Sequence, residues 1–166
     1  EEGINWFVKQ VWPKINQRLP HTKLYLAGRY MPQWLLKADF PNIEVIGEVE
    51  NAKDFVRKHG IAIVPLLSGS GIRIKIIEAM ALGKAVVTTE VGAEGIFYTH
   101  GENIIIAQRP NEFADAIEQL VNDPKKAQLM GLKARQLIET VYDHQKLIAR
   151  MVNFYNELMI RQKRTK

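Results

Sequence analysis

The residues able to do chemistry are concentrated in one stretch, Pro65 to Gly83. The apolar run Ile61-Ala62-Ile63-Val64-Pro65-Leu66 reads as a buried strand. It leads into the small-residue loop Ser68-Gly69-Ser70-Gly71. A helical pattern over Ile72 to Leu82 follows and stops at Gly83. Glycines let a ligand come close to the main chain. The first amides of a helix have no partner inside it, and the helix dipole makes that end partly positive. Together these features suit the oxygens of a diphosphate. Two familiar phosphate loops are excluded. The stretch Gly69 to Ile74 lacks the third glycine of the dinucleotide fingerprint, and no Gly-Lys-Ser/Thr closes a Walker loop. A plain tight turn is the competing reading of Gly-Ser-Gly.

Glu78 lies on the helix that this loop opens. Turned inward, its carboxylate would accept hydrogen bonds from two adjacent hydroxyls, such as a ribose diol. Turned outward, it would pair with Lys75, three residues back. Arg73 and Lys75 are suited to neutralising phosphate. Being two apart on a helix they do not share a face, so one at most would point at the ligand. Elsewhere the pattern is quieter. His21, His59, His100 and His144 show no i, i+4 ligand spacing. His100, Glu90 and Glu94 are expected in loops facing water, the competing reading being that His100 lines the cleft and that Glu90 and Glu94, at the carboxyl end of the strand Ala85–Thr89, approach a bound ligand. Trp6, Trp12 and Trp34 are expected to pack helices onto the sheet.

Short strands alternate with helices along the chain. Strands are expected at Lys23–Gly28, Ile43–Gly47, Ile61–Leu66, Ala85–Thr89 and Asn103–Ala107. Helices are expected at Ile4–Leu19 with a bend or break at Pro13, Pro32–Ala38, Ala52–His59 capped by Asn51, Ile72–Leu82, Pro110–Asn122, Pro124–Val141 and His144–Ile160. This alternation implies an α/β fold: a Rossmann-like, doubly wound parallel sheet of five to six strands, with helices on both faces. Such domains ordinarily begin with a strand, and this chain begins with a helical pattern. The first strand is therefore expected to lie outside it.

Composition narrows the class. With 166 residues, 46% hydrophobic and 25% charged, the chain suits one domain with an appended helix. It has no cysteine, which excludes disulfide scaffolds, thiolate metal sites and thiol nucleophiles. Net charge is +5, but Arg161, Lys163, Arg164 and Lys166 supply four of the positive charges. The basic balance is thus a tail property, expected to be solvated, and nucleic-acid binding is not implied. A cytoplasmic domain is the expectation.

The segment Ser68 to Ile96, and above all Glu78-Ala79-Met80-Ala81-Leu82-Gly83 with Val86-Val87 after it, resembles the C-terminal, donor-binding domain of group 1 (family 4) glycosyltransferases of the GT-B fold. Leu24–Gly28, Ile46-Gly47-Glu48-Val49 and Ala62–Leu67 resemble neighbouring strands of that family. The likeness runs from about Trp6 to Tyr142.

The resemblance implies a nucleotide-sugar-binding domain over 1–143, followed by a helix and basic tail over 144–166. By that resemblance Glu78 would match the second glutamate of the family's E-x7-E motif and hold the donor ribose. Gly69, Ser70, Gly71 and Ile72 would face the diphosphate or sugar, with Gly71 and Ile72 offering amides. Arg73 and Lys75 would meet phosphate, and Gly47, Val49 and Leu67 would flank the nucleobase. The position of the motif's first glutamate is occupied by Ser70, a departure that bears on which sugar hydroxyl is read.

The implied activity is sugar transfer from a nucleoside diphosphate sugar to an acceptor hydroxyl, of hexosyltransferase type and with retention. No metal or other cofactor is implied. The implied setting is polysaccharide biosynthesis. The expected partners are the nucleotide sugar and the protein's own N-terminal acceptor domain, with peripheral contact at the inner membrane through the acceptor. The family's acceptor-binding half and its Arg…Lys pair are absent, so the fragment alone is expected to be inactive. The final helix would cross back toward the N-terminal domain, or else pack on this one. The alternatives are an epimerase-like or phosphorylase-like GT-B domain and a non-catalytic nucleotide-sugar-binding module.

Overall fold

A computed structural model of the chain describes residues 1–37 and 39–164. Ala38, at the end of one expected helix, and Lys166 of the basic tail lie outside the described residues. So do the side chains of Arg161, Lys163 and Arg164.

The first helical stretch is built in three pieces: α1 (Glu2–Trp6), a π-helical turn (Phe7–Val11) and α2 (Trp12–Arg18). The irregularity expected at Pro13 thus takes the form of a widened turn just upstream. Pro13 falls within the first two positions of α2, where a missing N–H costs nothing. Phe7, Val8, Val11, Trp12 and Ile15 on this stretch are all buried.

Strand β1 (Leu24–Ala27) follows, then a short α3 (Gln33–Leu36), β2 (Ile43–Gly47) and α4 (Ala52–Arg57). The Asn51 side chain accepts from the amides of Lys53 and Asp54, which fixes the start of α4. Strand β3 (Ile61–Val64), α5 (Ile74–Ala81), β4 (Ala85–Thr88), α6 (Glu90–Ala93) and a two-residue β5 (Ile105–Ile106) complete the sheet region. The chain ends with α7 (Pro110–Asn122), α8 (Pro124–Val141) and α9 (His144–Arg164).

Every strand pairing is parallel, in the order β2-β1 and β3-β4-β5. Helices cover both faces, so the expected α/β class is the observed one. One feature differs from expectation. Among the described residues the five strands form two hydrogen-bonded sheets rather than one, because β1 and β3 are not paired with each other.

Two apolar cores lie on opposite faces. One gathers Phe7, Val11, Ile15, Leu24, Leu26, Val87, Phe113 and Ile117 beneath α1, α2 and α7. The other gathers Ile76, Met80, Val86, Ile104 and Ala134 beneath α5 and α8. Alternate residues of β3 and β4 feed the two cores, as the two-residue period of a strand requires.

Helix α9 does not pack on this domain as one expectation had it. Leu147, Ile148, Met151, Val152, Phe154, Tyr155, Leu158 and Met159 are all exposed. No helix among the described residues is long and apolar enough to cross a membrane.

Candidate functional site

The carboxyl end of β3 is braced by two hydroxyls. Thr88 Oγ1 donates to the Val64 carbonyl at 2.7 Å, and Thr89 Oγ1 donates to the carbonyl of Leu66. Thr89 Oγ1 also accepts from the Gly92 amide at 2.9 Å and so caps α6. Both threonines are fully buried. Buried hydroxyls of this kind persist only when they are hydrogen-bonded. They hold the exit of β3 against the exit of β4. Sequence reasoning did not single them out, although a Thr-Thr pair closing an all-apolar strand was the available signal.

Beyond that brace the chain turns outward. Ser68, Gly69, Ser70, Gly71 and Ile72 are exposed. Gly69 and Gly71 have φ of +126° and +84°, values that favour glycine. Helix α5 starts at Ile74, two residues later than expected, and Arg73 is its N-cap residue. No side chain caps this end, so the first amides of the helix remain open toward the loop.

Arg73 folds back over the loop. Its guanidinium donates to the Ser70 carbonyl. A Cβ built on Gly69 would sit 2.7 Å from the same guanidinium. Arg73 Nε and one terminal nitrogen are shielded from solvent with no hydrogen-bond partner. A buried, unpartnered N–H of a cation is costly, and an anionic oxygen would relieve it.

Lys75 points elsewhere. Its Nζ lies 3.4 Å from a Glu78 carboxylate oxygen, with the lysine side chain largely exposed and the glutamate partly so. Glu78 thus adopts the surface pairing weighed against its inward role, on the helix that the loop opens. Its side chain is 40% exposed. Gly47 and Val49 stand at the carboxyl end of β2, where Gly47 turns with φ +78°. Leu67, half-buried, follows β3. The sequence-selected residues therefore lie at the carboxyl ends of parallel strands, where open α/β sheets bind ligands.

Other candidates fall in a separate place. An open pocket of about 620 Å³ lies beside β5 and the start of α7, lined by Glu90, Tyr98, His100, Gln108 and Glu112 among others. His100 Nδ1 accepts from the Ile106 amide at 3.0 Å and helps fold that edge. Glu112 accepts from the amides of Gln108 and Arg109 and from the Arg109 side chain, which lowers its pKa from 4.5 to about 2. Among the described residues, no group of three His, Asp or Glu is placed to hold a metal ion.

Parallel strands covered by helices on both faces, with a glycine-rich turn opening a helix at their carboxyl ends, define a doubly wound, Rossmann-like class of α/β domain. Residues 1–123 match the family described as "Glycosyl transferases group 1", and the chain belongs to that family. A 44.6 kDa protein of the cps region of Klebsiella pneumoniae, itself uncharacterised, is 27% identical over 157 residues, which is 89% of this chain and 40% of that protein. An uncharacterised glycosyltransferase of Methanocaldococcus jannaschii is 26% identical over 82% of this chain and 38% of that protein. The chain thus spans about 40% of the length of the curated relatives it matches.

Among solved structures, Staphylococcus aureus TarM in complex with UDP superposes with a TM-score of 0.78 at 20% identity, over 92% of this chain and 32% of that one. Anabaena HepE in complex with UDP gives 0.76 at 15% identity, over 92% and 46%. The C-terminal domain of the group 1 protein LpcC from Francisella tularensis gives 0.66 at 20%, over 81% and 79%. These likenesses establish the GT-B C-terminal domain fold.

Proposed function

We propose that the chain is the donor-binding domain of a glycosyltransferase that moves a sugar, of hexosyl type, from a nucleoside diphosphate sugar to an acceptor hydroxyl with retention. The observation that carries this reading is the loop Ser68–Arg73. It is an exposed turn, opened by two positive-φ glycines, with an uncapped helix start and an arginine whose buried N–H groups lack partners. A diphosphate supplies the missing acceptors. Gly71, Ile72 and the first amides of α5 would stabilise the negative charge that grows on the departing diphosphate. Glu78 would exchange its exposed ion pair with Lys75 for the ribose diol, and Lys75 would then be free to meet phosphate. Gly47, Val49 and Leu67 would bound the nucleobase.

The UDP bound by HepE and TarM supports a nucleoside diphosphate as the guest. The reading needs no metal or other cofactor, because backbone amides and cations neutralise the leaving group. It covers residues 1–143 as the nucleotide-sugar domain and leaves 144–166 as a separate helix and tail. The acceptor is assigned to a second domain, so the chain by itself would bind donor and transfer nothing. Polysaccharide assembly on the cytoplasmic side of the inner membrane is the setting this reading favours, with membrane contact made through the acceptor.

The test is calorimetric titration with UDP, GDP and ADP, their hexose conjugates and the free nucleosides. Saturable binding that requires the diphosphate, and that weakens in Arg73→Ala, supports the proposal. Binding of free nucleosides as tight as that of diphosphates would remove the loop from the site. Donor binding by the whole protein with no transfer to any hydroxyl would favour a non-catalytic module.

A further inference from the structure

The end of α8 is tied to the site through one phenol. Tyr142 closes α8, and its ring packs on the core that holds Ile76, Met80, Val86 and Ile96. Asp143 then starts α9 by accepting from the Lys146 amide at 3.1 Å. The ring is thus held by the core beneath it and by a helix on each side of it.

Packing does not account for the Tyr142 hydroxyl. It accepts from the Phe97 amide at 2.9 Å and donates to the Gly95 carbonyl at 3.4 Å. These two groups flank Ile96, which is buried in the same core. Residues 96–99 belong to no helix or strand, so their backbone groups need partners from outside a regular ladder. A phenol supplies a donor and an acceptor at once, and a phenylalanine ring supplies neither. The segment Gly95–Phe97 is therefore pinned at two points to the end of α8.

That segment is one wall of the loop Ser68–Arg73. Gly95 has φ +74°, and a Cβ built on it would lie 3.0 Å from Ile72 Cγ1. The Ile72 side chain thus rests on the bare backbone of Gly95. Little else supports the loop at this end. Ser70, Gly71 and Ile72 are exposed, and a Cβ on Gly71 would meet nothing within 4 Å. Arg73 donates to the Ser70 carbonyl and so closes the loop on itself. Ile72, by contrast, leans on a part of the fold outside the loop.

The path is short and continuous. It runs from the Tyr142 hydroxyl to the Gly95 backbone, then to the Ile72 side chain and the Ile72 amide. Ile72 is β-branched, so its χ1 has few wells. A side chain of that kind, held at its far end, fixes the direction of its own backbone. Gly71 and Ile72 are the residues whose amides the nucleotide reading assigns to the diphosphate. Groups of that kind lose much of their effect when displaced by about 1 Å.

We propose that Tyr142 is a positioning residue for the diphosphate loop: its hydroxyl fixes Gly95–Phe97, and through Gly95 it sets the Ile72 side chain and the aim of the Gly71 and Ile72 amides. Tyr142 itself touches no ligand. The consequence for binding rests on the nucleotide reading, but the link from Tyr142 to the loop is measurable with no nucleotide present.

The first test uses the free chain. Tyr142→Phe keeps the ring in the core and removes only the hydroxyl. In heteronuclear NMR spectra of residues 1–166, the amide signals of Phe97 and of Ser70–Arg73 should move, while those of Leu24–Ala27 stay in place. Movement confined to Gly95–Phe97 would overturn the proposal, because the hydroxyl would then serve its own segment alone.

The second test is a double-mutant cycle, read by calorimetry with whichever of UDP, GDP and ADP binds tightest. Tyr142→Phe should weaken that diphosphate about fivefold, the equivalent of one ordinary hydrogen bond, and leave the matching nucleoside unchanged. Ile72→Ala, where the side chain is 53% exposed, attacks the same link from its other end without opening the core. It should also weaken the diphosphate, and adding Tyr142→Phe to it should bring no further loss. Additive losses, or an equal loss for the nucleoside, would overturn the proposal. If the parent binds none of the three diphosphates, the nucleotide reading falls, and the amide shifts of the free chain alone uphold or overturn the link.

Discussion

The guanidinium of Arg73 donates to the carbonyl of Ser70, three residues back, and so lies across the turn that opens α5. The contact leaves two nitrogens of the same group shielded and unpartnered. The arginine is thus positioned by the loop without being satisfied by it. Its replacement should therefore cost little folding stability and a good deal of anion affinity. A hydrogen bond to a charged group contributes about 1.5–3 kcal/mol, so Arg73→Ala is expected to weaken nucleoside diphosphate binding roughly 10- to 100-fold. Affinity for the matching nucleoside should not change. Calorimetry on both ligands checks this, and an equal loss for the two would mean that Arg73 only shapes the loop.

Glu78 gives a complementary case. Its partner, Lys75, is 76% exposed, and pairs of that kind contribute about 0–1 kcal/mol. Glu78→Gln should leave the melting temperature within about 2 °C of the parent. If the carboxylate turns to a ribose diol on binding, the same change should lower diphosphate affinity about tenfold, and the deoxyribose analogue should be insensitive to it. A variant that binds both nucleotides like the parent would confine Glu78 to its surface pair.

The sequence was most readable where local rules and tertiary packing agree. The run Ala85–Thr88 became a strand buried at every residue, because buried parallel strands need near-continuous apolar residues, and few other elements tolerate them. The Asn51 cap was legible for the same reason. The helix after the loop began at Ile74 rather than Ile72, because Gly71 takes a positive φ and Arg73 stays extended at the cap. Asn103–Ala107 shrank to Ile105–Ile106, as a strand with one paired side often does. The orientations of Arg73 and Glu78 were not legible at all. Spacing says which residues share a helix, but an exposed long side chain chooses its partner by geometry that periodicity does not encode.

Backbone contact between helices gives a stability prediction. A Cβ on Gly131 would lie 2.0 Å from the Gly83 carbonyl oxygen, where α8 crosses the end of α5. Gly83 itself has φ +70°. The neighbour is main chain rather than a flexible side chain, so the helices must separate to admit a methyl group. Gly131→Ala should destabilise the fold by about 3 kcal/mol, lowering the melting temperature by roughly 6–12 °C. Thermal unfolding by circular dichroism reads this directly, and a shift under 2 °C would mean that α8 slides freely on α5.

Acid sensitivity follows from Glu112. Its carboxylate accepts from the amides of Gln108 and Arg109 at 2.8 and 3.0 Å and from the Arg109 side chain. These bonds favour the charged form and draw the pKa from 4.5 down to about 2. A folded value below the unfolded one means that the unfolded chain takes up protons first as the solution is acidified. The contribution is therefore complete above pH ~4.5 and is lost as pH falls through ~2. Glu112→Gln removes the titration while keeping an amide oxygen as an acceptor. The parent should melt higher than this variant at pH 7 and at pH 5, and the gap should narrow steadily below pH 4.5 until the two coincide near pH 2. A gap of constant size across that window would mean that Glu112 stabilises the start of α7 by packing and not by its charge.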